Sequence, residues 1–181
     1  AALGEQVHAA PYKAPPQAPI LYIKPRNTLL GQGEAVVVPA EFAALEMGAT
    51  LAVVIGQTAS HVSVADALSY VAGYTVMNDI SVPHDSFYRP SIRFKCRDGF
   101  CPIGSVVVPR AQIQNPDDLK VTVSIDHGVV QQSSTGNRVR SVAQLLADVT
   151  EFMTLHPGDV LSIGIAAGSP LARAGQQVRI E

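Results

Sequence analysis

Short apolar runs broken by glycine-containing turns dominate this chain, and only one stretch carries a sustained helical period. Leu21–Lys24, Ala35–Val38 and Leu51–Ile55 read as short strands, with Gly31–Gln32–Gly33 and Gly56–Gln57–Thr58 as turns between them. Val71–Met77 and Gly104–Val108 read as buried strands, and Val121–Ile125 alternates before Asp126–His127–Gly128 turns it back into Val129–Gln131 as a hairpin. Ser63 with Asp66 three residues on has the form of a capping box, opening a short helix to about Ala72 that Gly73 ends. Ser141 and Gln144 form a second box, and Val142, Leu145, Leu146, Val149, Phe152 and Met153 then mark one helical face at i, i+3, i+4, i+7, i+10 and i+11. The second helix is expected to stop at His156–Pro157–Gly158–Asp159, because the residue before a proline disfavours helix, and strand Val160–Ile165 follows. Pro11, Pro15, Pro16 and Pro19 make residues 1–20 an extended lead-in, since each proline removes a donor and restricts its predecessor. No repeat, charge block or low-complexity tract divides the remainder, so 21–181 is expected to be a single domain. Strands interspersed with two short-to-medium helices predict an α+β class dominated by mixed β-sheet.

Composition narrows the function classes. With 181 residues, 47% of them hydrophobic and 15% charged, the chain can bury one sizeable core, and no apolar run is long enough to span a membrane. A formal charge of −2 argues against nonspecific nucleic-acid binding. Cys96 and Cys101 form a C-x4-C pair without a second Cys or His cluster, which is poor zinc chemistry, and no basic leader with an apolar stretch precedes the first strand. Reduced thiols and a cytoplasmic location are the expectation. The high apolar share also predicts a large homodimer or heterodimer interface on sheet surfaces.

Candidate chemistry concentrates between positions 73 and 104. The apolar run Gly73–Tyr74–Thr75–Val76–Met77 ends in Asn78 and Asp79, a turn carries His84 and Asp85, and Arg93, Lys95 and Arg97 recur at alternate positions. In an extended segment that spacing puts three cations on one face, which suits either an anion-binding site or a solvated, charged edge strand. Arg26 after Pro25, Arg89 and Arg97 are candidates for bidentate carboxylate recognition, and Tyr88 can orient a polar substrate group. His84 can exchange protons at neutral pH, whereas His156 at a helix end is explained by the helix dipole. The serines lack a Gly-x-Ser-x-Gly elbow, and Gly31–Gln32–Gly33 lacks a Walker lysine or a Rossmann continuation.

Gly73–Tyr74–Thr75, Asn78–Asp79 and Lys95–Cys96–Arg97–Asp98–Gly99, followed by Pro102–Ile103–Gly104, together resemble the fumarylacetoacetate hydrolase family. Tyr12–Lys13–Ala14–Pro15–Pro16, Ile23–Lys24–Pro25–Arg26–Asn27–Thr28, Gly48–Ala49–Thr50–Leu51–Ala52–Val53–Val54–Ile55–Gly56 and Leu155–His156–Pro157–Gly158–Asp159 fall in that family's order. Ser86–Phe87–Tyr88–Arg89–Pro90 and the Lys95–Pro102 stretch are similar to one branch, the N-terminal half or separate subunit of the bifunctional isomerase/decarboxylase of 4-hydroxyphenylacetate (homoprotocatechuate) degradation. The resemblance implies a compact roll of mixed β-sheet with a packed helix, and dimeric assembly. It also implies terminal segments beyond this sequence and a His-Glu lid with no counterpart here except Glu5 and His8.

The same resemblance implies a Mg²⁺ site built from a Glu-x-Glu pair and the aspartate of the Asn-Asp motif. Gly48 and Thr50 stand where that pair is expected, leaving Asp79 as the one matching ligand, so this chain is not expected to bind the metal. Glu46, two residues upstream, would need a shifted loop to substitute. Asp79 is then either catalytic or a buried carboxylate satisfied by nearby donors. Lys95 matches the family's lysine beside the reacting centre, where a cation polarises a 2-oxo group or holds a substrate carboxylate. Gly164–Ile165–Ala166–Ala167–Gly168 replaces a Gly-Thr-Pro segment, removing a hydroxyl.

The implied activity is decarboxylation of 5-oxopent-3-ene-1,2,5-tricarboxylate and isomerisation of 2-hydroxyhepta-2,4-dienedioate in aromatic catabolism. The different-class alternative is a non-catalytic partner of a metal-bearing paralogue. A metal-dependent acylpyruvate hydrolase is the third reading.

Overall fold

The computed structural model describes residues 18–85 and 91–181, so the predicted lead-in falls largely outside the described residues. In chain order the elements are β1 (Leu29–Gly31), β2 (Leu45–Glu46), β3 (Ala49–Ile55), β4 (Val71–Asn78), α1 (Ile92–Lys95), β5 (Cys101–Ile103) and β6 (Val108–Pro109). β7 (Lys120–Ile125), β8 (Gly128–Ser134), α2 (Val142–Thr150), β9 (Val160–Ser162), β10 (Leu171–Ala172) and β11 (Val178–Ile180) complete them. The class is α+β, as the pattern predicts.

β3 and β4 pair antiparallel from Ala49↔Asn78 to Ile55↔Val71 and form the spine of the central sheet, whose order is β1-β5-β4-β3-β9 with β6 also on β4. β1 and β5 are parallel, which makes the sheet mixed. Alternation along β3 and β4 gives the two faces different fates. Leu51, Val53, Ile55 and Tyr74 point into a core shared with Val142, Leu145, Leu146 and Val149 of α2. Further along the same face, Met47 and Ala49 meet Val121 and Val123 of the three-stranded sheet β11-β7-β8. Ala52, Met77, Cys101 and Ile103 occupy the opposite face, which carries a much smaller apolar cluster and is left for the site described below. A helix of α2's nine residues does not hold itself together in water. Burial of its four core side chains, worth roughly 1.5–3 kcal/mol each, does so.

The predicted hairpin is present, with Asp126 and His127 taking the positive φ values of 47° and 73° that a tight β7–β8 turn requires. Other expectations need correction. Leu21–Lys24 and Ala35–Val38 are not strands in any sheet; Val36 and Val38 are instead held through their side chains against the second core. Ser63 does accept the Asp66 amide at 3.2 Å, but the segment it opens is a single 3₁₀ turn, Ala67–Tyr70, because β4 claims the chain from Val71. Gly73 does not end a helix: it lies inside β4, where a Cβ would come within 2.3 Å of the Val108 carbonyl, and so it admits β6. Gly104–Val108 is a loop between β5 and β6 that becomes strand only at Val108, leaving Val106 and Val107 exposed. α2 stops at Thr150, whose hydroxyl bonds the Leu146 carbonyl at 2.8 Å, so Phe152 is 68% exposed rather than on the buried face. β9 likewise ends at Ser162, three residues short of the predicted strand.

Candidate active site

β4 delivers Asp79 one residue beyond its last paired position, with the Asp79 amide still donating to the Gly48 carbonyl at 2.8 Å. By alternation Asp79 shares the open face with Met77 and Thr50. Its side chain is 10% exposed and is surrounded by cations: Lys24 Nζ lies 3.0 Å from Oδ1 and Lys95 Nζ 3.2 Å from Oδ2. Oδ2 also accepts the Tyr22 hydroxyl. Tyr22 and Lys24 reach the same carboxylate because they are two apart on an extended segment, while Ile23 between them points outward and is 74% exposed.

The two ammonium groups are used differently. Beside its ion pair with Asp79, Lys24 Nζ donates to the carbonyls of Lys95 at 2.5 Å, Phe100 at 2.9 Å and Ile80 at 3.5 Å, so its three N–H groups are committed to holding the exit of β4, α1 and the start of β5 together. Lys95 makes one hydrogen bond among the described residues, to Asp79, and sits 5.8 Å from the centre of the Tyr22 ring. It therefore retains N–H donors for a ligand. Burial, and then the neighbouring Asp79 charge, push the Tyr22 phenol far above its ordinary range, so it stays protonated and donates. One carboxylate against two ammonium groups leaves the cluster net positive, which favours an anionic ligand. The nearby Cys101 thiol is pushed up to about 11 by burial, which keeps it protonated and without nucleophilic character.

Of the predicted site residues, Asp79 and Lys95 come together, while Arg26 and Arg97 lie apart from them on the surface. Arg93, Lys95 and Arg97 form no single-faced stripe, because Ile92–Lys95 is one helical turn rather than a strand. Phe94 goes inward against the second core and Lys95 toward Asp79, while Arg97 pairs with Glu41 at 3.0 Å and lies 5.1 Å from the centre of the Phe42 ring on the outer surface. His84 is stacked on Phe94, with ring centroids 4.3 Å apart and planes at 18°. Arg26 is exposed in the 3₁₀ turn Arg26–Thr28 and makes no ion pair among the described residues. Tyr88 and Arg89 lie outside the described residues. Lys24 and Tyr22 carry no site signal in the sequence beyond their i, i+2 spacing ahead of Pro25.

The divalent cation that the resemblance implies would have to be held by the residues around Gly48, Thr50 and Asp79. A Cβ at position 48 would stand 2.3 Å from the Asp79 carbonyl oxygen, so any larger side chain there requires the β3 and β4 backbones to separate. Thr50 Oγ1 is engaged with the Gly164 carbonyl at 2.8 Å and Ser162 Oγ at 3.1 Å. Both Asp79 oxygens face lysine or tyrosine donors. Glu46 is in β2, opposite Ser81 and paired with Leu171 of β10, and among the described residues no three acidic, His or Cys groups converge as metal ligands. A hard dication needs several oxygen ligands, and these residues do not fit one.

The open face carries a groove of about 920 Å³. Tyr22, Lys24, Asp79, Met77, Cys101 and Arg138 are among its lining residues. Such a groove, apolar along its length with a few convergent charged groups, has the form of a small-molecule site.

Comparison with known proteins gives a consistent picture. The profile of the fumarylacetoacetate (FAA) hydrolase C-terminal family matches residues 1–181. The 4-hydroxyphenylacetate degradation bifunctional isomerase/decarboxylase of Escherichia coli is 42% identical over 176 residues, covering 97% of this chain and 40% of that protein. A mitochondrial oxaloacetate tautomerase of Rattus norvegicus is 33% identical over 161 residues, covering 87% of this chain and 51% of that protein. The chain thus spans about two-fifths to one-half of the length of these curated relatives. Among solved structures, the 2-hydroxyhepta-2,4-diene-1,7-dioate isomerase of Mycobacterium marinum superposes with a TM-score of 0.78 at 28% identity, over 92% of this chain and 66% of that one. No helix among the described residues is long and apolar enough to cross a membrane.

Proposed function

This chain belongs to the fumarylacetoacetate hydrolase family, and from that premise we propose that it serves a decarboxylase/isomerase acting on unsaturated 2-oxo di- or tricarboxylates of aromatic catabolism. The observation that carries the reading is Asp79, which lines the groove with Tyr22 and Lys24 and is held by both of them and by Lys95. Decarboxylation β,γ to a carbonyl releases CO₂ and leaves its electron pair delocalised to the 2-oxo oxygen as a dienolate. Isomerisation of a 2-hydroxy-2,4-diene removes the enol proton to give the same dienolate and then returns a proton to its distal carbon, leaving a 2-oxo-3-ene. Both reactions need a cation fixed where negative charge accumulates, and one site can serve either. On this reading Lys95, whose ammonium bonds only Asp79 among the described residues, donates to that oxygen. Lys24 and Tyr22 position Asp79, and Asp79 in turn fixes Lys95 and offers a carboxylate for the proton's transit.

On this reading the site works with ammonium groups rather than a dication, and Mg²⁺ is not held by this chain. The non-catalytic alternative, in which the chain supports a metal-bearing paralogue in a heterodimer, draws on the same misfit at Gly48 and Thr50. A decarboxylation assay on the chain, with Mg²⁺ or with EDTA and with or without a paralogous chain carrying an intact Glu-x-Glu, separates the two. Turnover by the chain alone that is unchanged by EDTA is expected. Activity appearing only with the paralogue and Mg²⁺ would instead assign the chain a supporting role.

A further inference from the structure

We propose, building on the reading above, that Arg138 recognises the second carboxylate of the substrate and so makes the groove selective for 2-oxo diacids over 2-oxo monoacids. Arg138 lies between the 3₁₀ turn Thr135–Asn137 and Ser141, the N-cap of α2. Its Nη1 donates to the carbonyls of Ile163, at 2.8 Å, and Gly164, which fixes the guanidinium at the exit of β9. Nε is enclosed and has no acceptor among the described residues. The guanidinium makes no ion pair there either. Asp117, the carboxylate that acts on it electrostatically, commits Oδ1 to the Val142 amide at 2.8 Å. Arg140, two residues on, shows the contrast: its Nε meets Asp148 Oδ2 at 2.7 Å.

A partly buried cation whose bonds go only to neutral carbonyls is unfavourable without a counter-charge, and burial accordingly works against the charged form of Arg138. Cations left in this state on a groove wall are suited to a ligand carboxylate, which a guanidinium receives through its planar edge.

The position of Arg138 fits a substrate with two ends. The Gly164 carbonyl that anchors it also accepts from Thr50 Oγ1. Thr50 is the ladder partner of Met77, and Asp79 lies two residues further on that face, roughly 7 Å along the strand. The groove is therefore lined by Lys24 and Asp79, the latter also paired with Lys95, at one centre and by Arg138 at another. Met77, Cys101 and Ile103 also line it and offer apolar contact for an unsaturated carbon chain. A 2-oxo acid head on Lys95 would direct a distal carboxylate toward Arg138.

The test is titration calorimetry of the chain with 2-oxoadipate and with pyruvate, comparing the unmodified protein with Arg138→Gln and Arg138→Lys. Glutamine keeps a donor for the two carbonyls and removes the charge, and thermal melts confirm that each variant is folded. The expected result is a loss of about tenfold or more in 2-oxoadipate affinity for Arg138→Gln, pyruvate binding unchanged within about twofold, and partial recovery in Arg138→Lys. Equal losses for both ligands, or none, would overturn the assignment of Arg138 while leaving Lys95 as the head-group site. If the unmodified protein bound neither ligand, the 2-oxo acid reading would fall and Arg138 with it.

Discussion

Asp79→Ala is expected to destabilise the protein by about 3 kcal/mol, the lower end for breaking a buried ion pair, which is roughly 6–12 °C in melting temperature for a chain of this size. The side chains of Asp79, Lys24 and Lys95 are only 10%, 11% and 16% exposed, so the small values typical of surface pairs do not apply. Removing the carboxylate strands two ammonium groups and the Tyr22 hydroxyl. Lys95 can swing toward solvent and relieve part of the cost. Lys24 cannot do so without giving up the Lys95 and Phe100 carbonyls, and that constraint keeps the effect from vanishing. Against a typical total stability of about 5–15 kcal/mol, the loss is large. Urea denaturation measures it: a lower midpoint at unchanged slope is expected. An unchanged midpoint would show that solvent already pays for these charges.

Lys95→Met is expected to act in the opposite proportion. Turnover of an unsaturated 2-oxo diacid should fall by about 10²–10³-fold, the range for losing one donor to a developing oxyanion. Stability should change by less than about 1 kcal/mol, because Asp79 keeps Lys24 and Tyr22 and methionine fills similar space. Lys24→Met provides the control, since it removes a group that pairs with Asp79 and donates to three carbonyls, and should reduce stability and turnover together. Steady-state kinetics and denaturation on the same preparations decide the matter. Comparable turnover by Lys95→Met and the unmodified chain would make Lys95 a packing and ion-pair residue only.

What the sequence revealed of this fold and what it concealed follow from the range of the forces involved. The β7–β8 hairpin was legible because its pattern and its turn residues are local, and the start of α2 because Ser141 caps the Gln144 amide three residues on. Asp79 and Lys95 were legible as chemistry through their place in a recognisable motif. Lys24 was read only as part of a strand and a motif, since the carbonyls it binds lie 71 and 76 residues away. The Arg93–Lys95–Arg97 spacing fitted a strand, yet Phe94 is drawn into the core by a helical turn that four residues are too short to announce. Arg138 gave no sequence signal at all; its character comes from what surrounds it.

The segment carrying Tyr22 and Lys24 belongs to no sheet and is fastened to the rest largely through side chains. Cooperative units held by few backbone hydrogen bonds open at a lower free energy than the sheets they cover. The charge cluster can therefore come apart through sub-global opening while β3 and β4 remain paired. Loss of secondary structure on heating reports the survival of the scaffold, and the lifetime of the assembled site is a separate and shorter quantity.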